Sequence, residues 1–526
     1  MIRKLWYIIP VLLLTLLAAA TMSTAQGTAP NAATTITVTS TDDDYTDGYS
    51  KKCSDVPADE CTLRRAINQA YGAGDRPVYI NFDIPTSDPG YNAAVGVWKI
   101  TLTGSTAYDL RELYGLTILD GSTQPGGRPD GPKIIVDGQG SKNNGLILRQ
   151  NSNEVRGLAM QDFLNTHITL SSDGNLIEDC WFGLSDDGTT LSSGDDTTTE
   201  GGSGVGLAAG SDNNTVQNNV FAGFFETAAA IRGNNNVFAG NYVGTRADGT
   251  VPIPQQFEQH PCLSGAWTGG VGITVADNDN QIGGPTAAEG NLFAGLFLDV
   301  AAGTTQRPAM DVSGDGHLIQ NNVIGLDVNS DLVGVCGRGF DFGNAPSDMQ
   351  VLDNTIVEPG LSAILMNGST LNGNTLQGNI IERGRPWPGE QEFNNFPEDA
   401  IAYGAWVPTA LKTFRPARIT DVDGTTVTGT SGAGSPCAFC TVELFLDDTD
   451  AVTETLQSLA LVTASSNGSW SATLPAPLEA GQGLRTMSTV PDNFAIIGLD
   501  AGTTSNLSSL QAATYQVLLP VVLRMY

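Results

Sequence analysis

Asn213-Asn214-Thr215-Val216-Gln217-Asn218-Asn219-Val220-Phe221 is answered by Asn236-Val237-Phe238-Ala239-Gly240-Asn241-Tyr242, with Asn214 and Asn236 22 positions apart. The same interval separates Asn153, in Asn-Glu-Val-Arg-Gly-Leu, from Asn175, in Asn-Leu-Ile-Glu-Asp-Cys. A period of that length selects a solenoid over a compact domain. Helical repeats need longer units rich in Ala, Leu, Glu and Lys; these units are β-branched or aromatic triplets cut by Gly, Asn and Asp, the composition of brief strands joined by turns. A parallel β-helix fits best. Further copies stand at Gly316-His317-Leu318-Ile319-Gln320-Asn321-Asn322-Val323-Ile324-Gly325 and Asn374-Thr375-Leu376-Gln377-Gly378-Asn379-Ile380-Ile381. Alternating side chains would fill a narrow core, and Asn at equivalent corners would stack into ladders from rung to rung. Between residues 100 and 385 a period of 22 leaves room for roughly 13 rungs, a rod of about 60 Å at ~4.8 Å per rung. Insertions interrupt the pattern at Asp186 to Gly204, Val251 to Gly270 and Val300 to Gly314, and such insertions tend to crowd one face, often the binding face.

Composition agrees with stacked strands and turns. The 526 residues include 62 Gly, and only 15% are charged. A formal net charge of -31 repels nucleic acid phosphates and gives no reason to expect a polyanion partner. Residues 1–25 read as an export signal: Arg3 and Lys4 form a positive start, Leu5 to Ala20 an apolar run, and Ser23-Thr24-Ala25 a small-residue cleavage site before Gln26. The apolar run is shorter than the ~20 residues that comfortably span a bilayer, so no membrane span is expected in the mature chain.

In an exported chain the seven cysteines suggest disulfides where spacing permits, and Cys53 with Cys61 and Cys437 with Cys440 are the two close pairs. The odd count leaves at least one thiol free. Cys180 sits in a strand triplet, where a small buried hydrophobe is the default, while Cys262 and Cys336 stay unassigned.

Residues 26–99 read as the N-terminal cap. Ile36-Thr37-Val38-Thr39 alternates like a first strand, and Cys61 to Ala70 places Leu63, Ala66, Ile67 and Ala70 at helical spacing. A β-helix exposes an unpaired rung at each end, so this short amphipathic helix is expected to cover one. Thr37-Val38-Thr39 with its acidic run, Cys61-Thr62-Leu63-Arg64-Arg65-Ala66-Ile67, Ile80-Asn81-Phe82 and Leu116-Thr117-Ile118-Leu119-Asp120-Gly121-Ser122-Thr123-Gln124-Pro125-Gly126 together resemble the bacterial CSLREA-domain proteins. Thr62 replaces that family's usual Ser and Arg65 its usual Glu. The resemblance covers about residues 35 to 400. It implies an all-β fold headed by a capping helix, a right-handed parallel β-helix of the pectin-lyase-like kind, in a secreted or cell-surface bacterial protein; it implies no particular chemistry.

The β-helix is expected over residues 100–400. The pattern dissolves near Trp387-Pro388 to Pro408, and residues 413–512 then read as alternating strands. Ile419 to Thr430, Thr441 to Leu446 and Asn467 to Leu474 are strand and turn phrases of a small β-sandwich and look like a bacterial Ig-like module. The apolar tail 513–526 is either a last edge strand or a sorting and attachment segment.

Catalytic β-helices need paired carboxylates for glycoside hydrolysis, or an Arg or Lys base with calcium for elimination. The hydrolase phrases are present only as fragments: Gly316-His317-Leu318 lacks a second Gly, Asp186-Asp187 and Asp195-Asp196 fall in an insertion, and no Arg-x-Lys follows His317. His317 therefore reads as a corner residue. No His-Glu-x-x-His helix, Gly-x-Ser-x-Gly elbow or phosphate-binding Lys loop occurs. Asp311-Val312-Ser313-Gly314-Asp315-Gly316 places oxygens at loop positions one, three and five before a Gly, as calcium loops do, but position twelve is Asn322 and not Glu. Calcium at Asp311, Ser313 and Asp315 is thus the one cofactor the sequence offers, against a plain turn between rungs. Trp181 and Trp267 beside the insertions are the aromatics placed to stack on sugars. Two functions stay open: a non-catalytic rod, expected to be monomeric, that presents a binding face to polysaccharide or matrix, and an extracellular polysaccharide lyase or glycoside hydrolase.

Overall fold

A computed structural model describes residues 33–512, apart from 105–108, 193–201, 225–226, 252–270, 297–307, 344–345, 383–399, 432–436, 492–497 and single positions at 336, 370, 405 and 451. The expected export signal at 1–25, the tail 513–526, Trp267, Cys262 and Cys336 lie outside the described residues.

The chain from Thr34 to Tyr403 winds as a parallel β-helix with three sheets as its faces. The first sheet holds eleven parallel strands, from Thr34–Val38 and Val78–Phe82 through Thr117–Asp120 to Thr375–Gln377. The second runs from Val97–Thr101 through the starts of Ile134–Leu148 and Leu158–Leu170 to Trp181–Phe182 and on to Ile380–Glu382. The third carries the ends of those two long strands, then Ser203–Leu207, Thr227–Ile231, Val271–Val275, Met310–Val312, Phe340–Phe342, Ile364–Met366 and Ile401–Tyr403. Parallel strands joined by crossovers in one sheet take the right-handed course. Inward residues such as Val216, Phe238 and Ile282 fill the bore, and Phe182 stacks on Phe221 at 4.8 Å.

The 22-residue period is real but is not the general spacing. Two of the eleven strands in the first sheet precede residue 100, leaving nine where the period alone allows about 13. Corner residues 175 and 214, or 236 and 280, are 39 and 44 positions apart because loops lengthen those turns. The insertions at 186–204, 251–270 and 300–314 all leave the second sheet and return to the third, so they share one corner. Met310–Val312 is itself a strand of the third sheet, which shortens the last of them.

Asn ladders run along two corners. In one, the backbone N–H of Asn153, Asn175, Asn214 and Asn236 each donates to the Oδ1 of the next rung's Asn at 2.8–2.9 Å. In the other, Asn219, Asn241, Asn291, Asn322, Asn354 and Asn379 pass Nδ2 to Oδ1 contacts at 2.9–3.1 Å. The residue just before several of these, Asn218, Asn321 and Asp353 among them, has a φ of 55–57°, a turn that Asn and Asp tolerate. His317 takes a ladder position: its Nδ1 accepts from Asn280 N at 3.0 Å and its Nε2 donates to Ser313 O at 2.9 Å. It is fully buried, a corner residue as its sequence context suggests.

The N-terminal end is closed by the helix Leu63–Tyr71, whose Leu63, Ala66, Ile67 and Ala70 are buried over the first strands. Thr62 caps it by accepting from Arg65 N. Arg64 meets Asp43 through two bonds of 2.6 and 3.0 Å, and Arg65 meets Asp47 at 2.6 Å, so the acidic run is the ion partner of the two arginines. Cys53 is bonded to Cys61 and Cys437 to Cys440, while Cys180 is free and buried.

Beyond the β-helix, strands Arg418–Asp423, Thr426–Thr430 and Ser469–Thr473 form one antiparallel sheet. Gln457–Thr463, Thr441–Asp448, Gln482–Thr489 and Gln511–Ala512 form another. Val427, Trp470, Ala472, Val442, Leu444 and Leu484 meet between them as a sandwich core. This sandwich seals the last rung: Gly378 N donates to both carboxylate oxygens of Glu443, Leu376 N to Thr504 Oγ1 and Ile381 N to Thr455 O.

Candidate functional site

Three hairpins stack on the corner that carries the insertions. Ser185 to Thr190, Arg246 to Thr250 and Asp327 to Asp331 each close with an N–H to carbonyl bond of 2.8–3.0 Å. Asp187-Gly188-Thr189 and Asp248-Gly249-Thr250 make the turns, each Asp accepting from the Thr two residues on. Ala247 N reaches Gly188 O and Val328 N reaches Gly249 O, so the hairpins form a ladder of their own. The first of them presents Asp186 to the side of the second sheet.

Outward positions of that sheet supply the rest. Strand alternation turns Trp98, Ile134, Leu158 and Phe182 into the bore and leaves Lys99, Asp137, Gln161 and Trp181 outside. Asp137 stands opposite Gln161 in register, and Asp162 follows at a left-handed φ of 57°. Gly138 permits that corner, because a Cβ there would lie 2.6 Å from the Asp162 carbonyl oxygen.

Lys99 Nζ lies 2.6 Å from Asp186 Oδ1 and 3.7 Å from Asp137 Oδ2. Gln161 Nε2 donates to Leu184 O at 2.7 Å and reaches Asp186 Oδ1 at 3.3 Å. These groups line an open groove of about 470 Å³ with Asn92, Asp162, Asp187 and Ser192. Lys99 also borders a second cavity of about 540 Å³ under the acidic run, with Asp42, Asp44, Glu60 and Arg65. Burial raises the Asp137 carboxyl above the usual range, and the nearby Asp162 and Asp186 charges add to it. Arg128 holds the first hairpin from outside the lining, donating to Asp186 O at 2.5 Å and to Pro132 O, and burial brings its guanidinium down to about 10. Chemically, the groove offers carboxylate acceptors at several heights, two amides, one ammonium, and a carboxyl that holds its proton longer than usual.

The sequence offers only fragments of the hydrolase phrases; the structure brings carboxylates, amides and one ammonium from four successive rungs to one groove. Asp186-Asp187, which read as residues of an insertion, is a hairpin turn locked against Lys99. Asp137 and Asp162 left no distinctive trace because Asp137-Gly138 looks like any turn. Their sequence interval, 25 residues, becomes meaningful only once rungs are aligned.

The other sequence candidates are spread over the molecule. The half-buried Trp181 has the Arg128 guanidinium 4.3 Å from its ring centroid and the backbones of Gly131 and Gly188 against its ring. Asp311 lies on a third-sheet strand in register with Asp341, whose carboxylate pairs with Arg338 at 3.0 Å. Burial raises Asp311, with Asp341 adding to it. Ser313 donates its hydroxyl to Val275 O, and Asp315 Oδ1 accepts from Ser347 N and Oγ, so these two oxygens serve separate partners. Among the described residues the carboxylates whose oxygens converge within 4.8 Å are Asp447, Asp448 and Glu454, with Arg485 already on Asp447.

No family model matches the chain, and no curated protein matches its sequence. Solved structures similar in course include the mannuronan C-5 epimerase A-module of Azotobacter vinelandii, with 13% identity over 66% of this chain and 91% of that one, TM-score 0.36. A PL6 family polysaccharide lyase from Pseudopedobacter saltans has 13% identity over 65% and 90%, TM-score 0.27. The tailspike protein of E. coli bacteriophage HK620 has 12% identity over 89% and 93%, TM-score 0.29. Similarity at this level reaches no further than the general course of the chain.

Proposed function

We propose that the protein is an extracellular polysaccharide-binding β-helix that takes a neutral glycan in the groove of Lys99, Asp137, Gln161, Asp162 and Asp186. The observation that carries this reading is the convergence of carboxylates from three levels of the rod on one open groove. Carboxylates are acceptor-only when ionised and match the hydroxyl donors of sugar rings. Aspartates outnumber the cations here, so a uronate or sulfate strand would be repelled from this surface and a neutral one would not. Trp181 enters as the wall that Arg128 and the first hairpin lean on.

Isothermal titration with a panel of neutral oligosaccharides tests the reading. Binding is expected for the full secreted chain and is expected to weaken at least tenfold in Asp186→Ala; a panel with no neutral ligand rejects it. A second reading, glycan cleavage, rests on Asp137, Asp162 and Asp186 sharing one groove. Asp137 holds its proton more tightly than an ordinary carboxyl and has ionisable carboxylates beside it, the division of labour that glycoside hydrolysis uses. New reducing ends from a bound glycan, lost in Asp137→Asn, would establish it.

A further inference from the structure

A second groove, of about 780 Å³, lies where the last rung meets the sandwich. Its walls are the strand Ile401–Tyr403, the short helix Thr409–Thr413, the strand Arg418–Asp423 and residues 506–511. Three features set it apart. First, Lys412, Arg415 and Arg418 line it within seven residues, in a chain whose 526 residues hold only 25 Lys and Arg against 56 Asp and Glu. No Asp or Glu occurs between Asp399 and Asp421, and none lines the groove. Second, all three cations are exposed, and neither Arg415 nor Arg418 has an ionic or side-chain hydrogen-bond partner among the described residues. Third, Tyr403 lines the groove, and its buried hydroxyl has no hydrogen-bond partner among the described residues, while burial pushes its phenol up and keeps it a donor. Trp406, 74% exposed, stands between that strand and the helix.

We propose that this groove binds an acidic polysaccharide through the carboxylates of its uronate residues. A guanidinium presents a fork of N–H donors that matches a carboxylate bidentately, and Arg415 and Arg418 offer two such forks in the lining. Tyr403 in the lining supplies a neutral donor, and exposed Trp406 an apolar face of the kind that sugar rings cover. The surrounding surface is strongly acidic, so attraction is confined to this patch. At about 0.15 M salt the Debye length is roughly 8 Å, which screens the distant carboxylates while leaving contacts inside the groove. This site is separate from the flank groove, whose acidic lining favours a neutral strand.

Affinity electrophoresis of the full secreted chain through gels containing polygalacturonate, dextran or no polymer tests the assignment. Retardation by polygalacturonate and not by dextran is expected, weakened at least tenfold in the triple variant Lys412→Gln, Arg415→Gln, Arg418→Gln, and unchanged in Asp186→Ala. Tyr403→Phe is expected to weaken it severalfold. The three cations are exposed, so their replacement leaves the fold intact, and circular dichroism verifies that. Absence of retardation in the wild type, equal retardation of the triple variant, or tighter binding to single-stranded DNA of matched charge would overturn the proposal. Loss of neutral-glycan binding in Asp186→Ala bears only on the flank groove.

Discussion

At the scale of single residues, burial sets the protonation of two groups in opposite directions, and each has a measurable consequence. His317 is neutral: Nδ1 must accept from Asn280 and Nε2 must donate to Ser313, and burial lowers its pKa from 6.5. The unfolded chain therefore takes up this proton first as pH falls, and stability drops below about pH 6.5. Chemical denaturation at pH 7.5 and 5.5 is expected to show that loss, and His317→Asn, which restores the residue used at the neighbouring rungs, is expected to remove the histidine's share of it. Asp137 runs the other way. Its folded pKa is raised, so the unfolded chain releases the proton first and stability falls as pH rises through the window above 3.8. Asp137→Asn should accordingly raise the melting temperature at pH 7 while weakening glycan binding, and an unchanged or lower melting temperature would contradict the assignment. The asparagines that bear the rungs were legible in the sequence because their spacing repeats and a corner Asn has few other uses. Asp137, Gln161 and Asp162 were not, since a groove residue on a solenoid is defined by its neighbours one rung away, and those intervals depend on loop lengths that no local pattern encodes.

At the scale of elements, the cap was readable and its chemistry only partly so. Apolar spacing in Leu63 to Ala70 identifies the helix, and the short interval between Cys53 and Cys61 identifies their bridge. The arginines were a different matter: nothing in the sequence pairs them, and the structure shows that Arg65 and Arg64 bind Asp47 and Asp43 of the acidic run. Arg64→Ala would leave the Asp43 carboxylate buried without its ion partner, a change that costs about 3 to 5 kcal/mol. Replacing Cys53 and Cys61 by Ser is expected to cost about 2 to 3 kcal/mol, because the closed loop is short. Within the ladders, Asn241→Leu would strand the buried donors of Asn219 and the carbonyl of Val216, for roughly 2 to 4 kcal/mol. Urea denaturation of the three variants ranks them, and a ladder substitution milder than an exposed one would discredit the ladder as a source of stability.

At the scale of the whole molecule, a rod of parallel strands has two open edges, and this chain closes both with its own residues. The N-terminal helix was expected; the sandwich was readable as a β unit, but its role as the opposite stopper was not, because Glu443, Thr455 and Thr504 lie 65 to 128 residues from the backbone groups they satisfy. A chain ended after Gly404 would expose the edge of Thr375–Gln377 and is expected to self-associate, which size-exclusion chromatography against the full chain would detect. The asparagine ladders also carry a direction. From Asn219 to Asn354 each side-chain amide nitrogen donates to the Oδ1 of the next rung's Asn, toward the C-terminal end. Dipoles of about 3.5 D set head to tail add where those of alternating strand bonds cancel. The ladder thus adds its own increment of dipole along the rod, with the amide nitrogens toward the C-terminal end, where the Glu443 carboxylate accepts from Gly378 N.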